Sequence, residues 1–117
     1  MVPAPADVAA PPADALRTSS GIASKVLHIG FGRARPSPRS SVIVNYTGWT
    51  TDGKMFETHT GVQFRVGEVI PGWTEGLQLM VVGEKRRFWI PPALAYEGMP
   101  GRPQGTLVFD IELLTVR

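Results

Sequence analysis

The chain closes on "TLVFDIELLTV", residues 106–116, where Leu107, Phe109, Ile111 and Leu113 alternate with Val108, Asp110 and Glu112. A period of two places those four large apolar side chains on one face of a strand. Such a strand needs neighbours to complete its backbone hydrogen bonds and a second layer to cover its apolar face. Further stretches repeat the pattern. "SVIVNYTGW" (41–49) puts Val42, Val44 and Tyr46 on one face, "EKRRFWI" (84–90) puts Phe88 and Ile90 together, and "GIASKVLHI" (21–29) alternates well enough for a strand. "VQFRV" (62–66) predicts a further, short strand. One segment, "EVIPGWTEGLQLM" (68–80), reads differently. Trp73, Leu77 and Met80 fall at i, i+4 and i+7, one face of a short helix that Pro71-Gly72 opens. With four or five strands, one short helix and no βαβ rhythm, the pattern predicts an α+β fold, an antiparallel sheet with the helix on one face.

The connections are read from turn chemistry. Asp52-Gly53 marks a tight turn, Gly83 another, and the loops at 30–41 and 90–105 are rich in Gly, Pro and Ser. Residues 1–17, "MVPAPADVAAPPADALR", are interrupted by Pro3, Pro5, Pro11 and Pro12, which forbid a regular helix or central strand. They predict a flexible, Ala/Pro-rich leader, followed by one domain over 18–117. At 117 residues and 43% hydrophobic, the chain suits one small globular domain with a modest core.

Composition removes several kinds of chemistry. There is no cysteine, hence no disulfide, thiolate metal site or Cys nucleophile. His28 and His59 alone, with no tight His/Asp/Glu spacing, make no metal site of known spacing. No apolar run approaches the ~20 residues that span a membrane, and the prolines of the N-terminus do not suit a signal peptide. The compartment stays open between the cytoplasm and, for a chain whose export signal has been removed, the bacterial envelope. The basic clusters Arg33, Arg35 and Arg39 and Lys85, Arg86 and Arg87 read as solvated charge, and a net charge of +2 gives no case for nucleic acid. Serines lack a His/Asp partner pattern. What remains is an apolar, aromatic-lined pocket without a nucleophile, and Trp73, at the mouth of the helix, is either a core residue or an aromatic that could floor such a pocket.

Four stretches carry a specific resemblance: "VNYTGWTTDGKMFE" (44–57), "EVIPGWTEGLQLM" (68–80), "GEKRRFWIPPALAY" (83–96) and "GTLVFDIELL" (105–114). In this order they resemble the FKBP-type peptidyl-prolyl cis-trans isomerases, over nearly all of residues 42–116. The resemblance implies a five-stranded antiparallel sheet curled around one short helix, with a hydrophobic hollow between them. It implies that Tyr46, Phe56, Glu57, Ile70, Trp73, Tyr96 and Phe109 form the catalytic pocket, and that Val62, Glu68 and Val69 help bind substrate. On this view Trp73 is the floor, Tyr96 hangs over the rim, Phe109 closes the wall, and the Ile70 N–H and Tyr96 hydroxyl bond substrate carbonyls. The implied activity is isomerisation of Xaa-Pro bonds in peptides and unfolded proteins, with no cofactor. The implied ligands include rapamycin and tacrolimus. A monomer is expected, since no exposed apolar seam is evident.

The chain departs from the family pattern at three places. Glu57 stands where Asp is usual and moves the carboxylate by about a bond length. Val62 falls where a pocket aromatic is common, which thins one wall. The loop at 97–105 is short, and no site residue is assigned within it. These departures support one alternative, a binding or chaperone module with this fold and little catalysis.

Overall fold

The computed structural model describes residues 2–117. Its strands are β1 (Leu16–Arg17), β2 (Ala23–His28), β3 (Ser41–Thr50), β4 (Met55–Arg65), β5 (Lys85–Ile90) and β6 (Leu107–Val116), and its α-helix is α1 (Pro71–Leu77). All pairings are antiparallel, in the order β1-β2-β5-β6-β3-β4. The sheet has six strands rather than five. The extra one is the two-residue β1, pairing Leu16 with Ser24 and Arg17 with Ala23.

Alternation decides the core. Val42, Val44, Tyr46, Phe88, Ile90, Leu107, Phe109, Ile111 and Leu113 all enter one cluster under α1, with Trp73, Leu77 and Met80 contributed from the helix and its exit. Pro71 occupies the first helical turn, where its missing N–H costs nothing. The two glycines of α1 explain how so short a helix comes so close. A Cβ on Gly72 would stand 2.4 Å from Ile90 Cγ2, and one on Gly76 would stand 2.8 Å from the Phe88 ring. The helix therefore lies directly on β5. Its Thr74 hydroxyl donates to the Val66 carbonyl at 2.6 Å, tying it to the 3₁₀ turn Val66–Glu68.

The "VQFRV" stretch is not a short strand of its own but the end of the eleven-residue β4. That strand carries an extra residue: Val62 pairs with Val44, but His59 pairs with Tyr46. The surplus falls at Thr60-Gly61, and Gly61 takes a φ of +65° while its N–H donates to Asn45 Oδ1 at 2.8 Å. A bulge of this kind shifts the inward-facing positions by one. Residues 57 and 59 face inward before it, and residues 62 and 64 after it.

Residues 2–15, within the stretch read as a leader, lie against the outer face of the sheet. Trp49 and Trp89 point away from α1, and Ala4, Val8 and Ala15 pack over them. Their indole N–H groups donate to the carbonyls of Val2 and Asp7 at 3.3 and 3.1 Å. The reason is physical: two large indoles on the outer face offer apolar area that an Ala/Pro-rich segment covers well. The arginines of β5, expected to be solvated, are also committed. Arg86 is buried and bonds Glu84 at 2.9 Å and Ser24 at 3.1 Å. Arg87 grips Asp110 through two bonds of 2.6 and 2.8 Å and reaches Asp7 at 3.0 Å. Buried guanidinium groups persist only when paired in this way.

Candidate active site

Between α1 and the sheet lies a cavity of about 340 Å³, lined by Tyr46, Glu57, Phe64, Glu68, Val69, Ile70, Trp73, Tyr96, Arg102 and Phe109. Its floor is Trp73, 4% exposed. Three rings stand edge-on around it: Tyr46 at 4.8 Å and 88°, Phe64 at 5.3 Å and 77°, and Phe109 at 5.4 Å and 89° between centroids and planes. Edge-to-face packing is the favoured arrangement for aromatic quadrupoles, so the box is held by its own geometry. The Trp73 Nε1–H is buried with no oxygen or nitrogen acceptor among the described residues.

Tyr46 and Glu57 form the polar corner. The Tyr46 hydroxyl donates to Glu57 Oε1, so the longer Glu side chain still reaches its partner. Burial first, then the hydrogen bond and charge of Glu57, push the Tyr46 phenol well above its ordinary value. Burial and the Glu57 charge also raise Tyr96. Both hydroxyls are therefore neutral donors at physiological pH.

Val69 and Ile70 lead into α1. The Ile70 carbonyl accepts from Trp73 N and Thr74 N at 2.9 and 3.1 Å. Among the described residues, nothing accepts from the Ile70 N–H or from the Tyr96 hydroxyl. Two donors at the cavity are thus left for a ligand.

Eight of the ten expected residues line the cavity: Tyr46, Glu57, Glu68, Val69, Ile70, Trp73, Tyr96 and Phe109. Phe56 and Val62 do not. Phe56 stands one layer back, its ring perpendicular to Phe109 at 5.6 Å. Gly48 makes that packing possible, since a Cβ there would lie 2.6 Å from Phe56 and 2.8 Å from Phe109. Val62 packs on the main core, and the wall expected to be thin is filled by Phe64. Phe64 was legible as the next inward position of the same strand. Arg102, on the rim loop, had no signal in the sequence. Among the described residues, no group of three or more His, Asp or Glu stands close enough to hold a metal ion.

An antiparallel sheet packed on one short helix, with an aromatic box and two free donors between them, is the arrangement that the resemblance implies. The family model for FKBP-type peptidyl-prolyl cis-trans isomerase matches residues 32–114, and the chain belongs to that family. It is 45% identical over 107 residues to the FKBP-type peptidyl-prolyl cis-trans isomerase FkpA of Escherichia coli, covering 86% of this chain and 39% of that protein. It is 38% identical over 106 residues to a peptidyl-prolyl cis-trans isomerase of Schizosaccharomyces pombe, covering 82% of this chain and 95% of that one. The crystal structure of FkpA from Escherichia coli superimposes with a TM-score of 0.82 at 41% identity, over 91% of this chain and 53% of that chain. The chain thus spans well under half the length of FkpA.

Proposed function

We propose that this protein isomerises Xaa-Pro peptide bonds by seating the proline on Trp73. The observation that carries the reading is the aromatic box with two unused donors, the Ile70 N–H and the Tyr96 hydroxyl, at its edge. Rotation about an Xaa-Pro bond meets a barrier of about 18–20 kcal/mol because it breaks amide resonance. No covalent partner is needed. The twisted amide separates less charge than the planar one, so a water-poor aromatic cavity favours it. The Ile70 N–H and Tyr96 hydroxyl hold the flanking substrate carbonyls, while Tyr46 and Phe109 grip the ring. Glu57 orients Tyr46, and Phe64 completes the wall.

Exchange NMR on a short Xaa-Pro peptide tests the proposal. The expected result is catalysed exchange that falls about tenfold or more in Trp73→Leu and Phe109→Ala, the loss of roughly 1.5–3 kcal/mol of aromatic contact. Binding of an unfolded client without catalysed exchange would replace the isomerase with a binding or chaperone module.

The same cavity is our proposed site for rapamycin or tacrolimus, to be checked by saturable quenching of Trp fluorescence in Trp49→Phe and Trp89→Phe backgrounds. Residues 18–117 form the proposed isomerase unit, supported by a main core drawn wholly from residue 22 onward. A monomer is proposed. Ile29 and Phe31, 92% and 83% exposed, are where self-association would begin, so sedimentation at rising concentration is the measure. Among the described residues, no helix is long and apolar enough to cross a membrane.

A further inference from the structure

Three charged side chains line the cavity: Glu57, Glu68 and Arg102. Glu57 accepts from Tyr46, and Glu68 stands 3.8 Å from Arg65. Arg102 meets no carboxylate among the described residues. Its guanidinium lies instead over the Tyr96 ring, 5.0 Å from the centroid. Stacking uses the face of a guanidinium and leaves its in-plane N–H donors free, in the fork geometry that matches a carboxylate.

The loop that carries Arg102 is built to hold it. Gln104 Nε2 is shared among the carbonyls of Tyr96, Met99 and Arg102 at 2.8, 3.1 and 3.1 Å. Gln104 Oε1 accepts from the Gly98 N–H at 3.0 Å. Gly98, Gly101 and Gly105 take φ values of +77°, +77° and +83°, which wind ten residues into a tight rim. One glutamine thus ties Tyr96 and Arg102 into a single unit at the mouth.

We propose that Arg102 is a specificity-determining residue that selects substrates with a carboxylate side chain adjacent to the proline. The proposal rests on the isomerase reading. A proline ring seated on Trp73 leaves its neighbours one Cα step away, about 3.8 Å, at the mouth where Arg102 has unused donors. Glu57 and Glu68 act against an acidic substrate, but each already faces a protein donor or cation. Gln104 is the positioning residue for the pair.

The test uses peptides Ala-Xaa-Pro-Ala with Xaa as Glu, Gln or Lys, together with Ala-Ala-Pro-Glu. Binding constants and exchange rates come from the same NMR titration. The wild-type protein should favour a Glu peptide over its neutral counterpart by about three- to fivefold at low salt, the yield of one partly exposed charge pair. The advantage should shrink toward unity at about 0.5 M salt. Arg102→Gln should abolish it, and Arg102→Lys should keep its salt-sensitive part. Gln104→Ala should lower the Glu advantage and raise KM with kcat less affected. Equal binding of acidic and neutral peptides by the wild type, or an advantage unchanged in Arg102→Gln, would overturn the role of Arg102. Acid-selective binding with no catalysed exchange would support Arg102 and strike the isomerase reading instead.

Discussion

Around Trp73 the rings of Tyr46, Phe64 and Phe109 leave little freedom, so the polar corner is fixed by packing as much as by its hydrogen bond. Tyr46 and Tyr96 are the chain's two tyrosines, and both phenols are raised above the ordinary value of about 10. The folded protein therefore holds these protons more tightly than the unfolded chain. That contribution to stability is fully present below about pH 10 and is lost as pH rises through the folded values. Tyrosinate absorbance checks it. At pH 10 the native protein should show less tyrosinate than the urea-unfolded chain at the same pH. A native titration that matches free tyrosine would contradict the buried Tyr46–Glu57 pair.

The helix and the bulged strand set the shape of the pocket. Gly72 and Gly76 look like poor choices for a seven-residue helix, since Gly costs up to about 1 kcal/mol against Ala. Their backbone lies against Ile90 and Phe88, and a methyl group would intrude on both. Overpacking costs typically 1–3 kcal/mol and outweighs the gain in propensity. Gly72→Ala and Gly76→Ala are each expected to destabilise the protein by about 1–2 kcal/mol in urea unfolding. They should also weaken peptide binding, because lifting α1 moves Trp73. The bulge at Thr60-Gly61 acts on the opposite wall. It lets Glu57 and Phe64, seven positions apart, face the same cavity, which strict alternation forbids.

Over the whole molecule, the sheet is packed on both faces. The helix packs on one, and residues 2–15 pack on the other. Asp7 clasps the second layer. Burial alone would raise its carboxyl, but the hydrogen bond from Lys25 and the charges of Arg87 and Lys25 prevail and hold it below the ordinary carboxylate value. A depressed folded value means the contribution is complete above the unfolded value of about 3.9 and is lost as pH falls further. Asp7→Asn should thus be less stable than wild type at neutral pH, and the gap should close below about pH 4. Trp49 and Trp89 fluorescence should shift to the red as the segment leaves, and an unchanged spectrum in acid would show that the clasp does not hold it.

Much of this was written in local patterns. Leu107, Phe109, Ile111, Leu113, Val42, Val44, Tyr46, Phe88 and Ile90 declare their face by a period of two, and Trp73 and Leu77 by the helical period. That is enough to place the sheet, the helix and the floor of the pocket between them. Phe56 and Val62, which the resemblance places at the pocket, stand outside the cavity lining, since position along a strand gives a face but not a depth. Arg102 was invisible because its place depends on three left-handed glycines and on Gln104 winding the rim back over Tyr96. Residues 1–17 read as a flexible leader because proline excludes helix and central strand, and the packing of Ala4, Val8 and Ala15 on the outer tryptophans has no local signature. The sequence by itself determined which side chains face inward, since alternation is local backbone geometry. Only the tertiary structure decided which of them share a cavity, and that Trp49 and Trp89 on the outer face gave the leader something to bury.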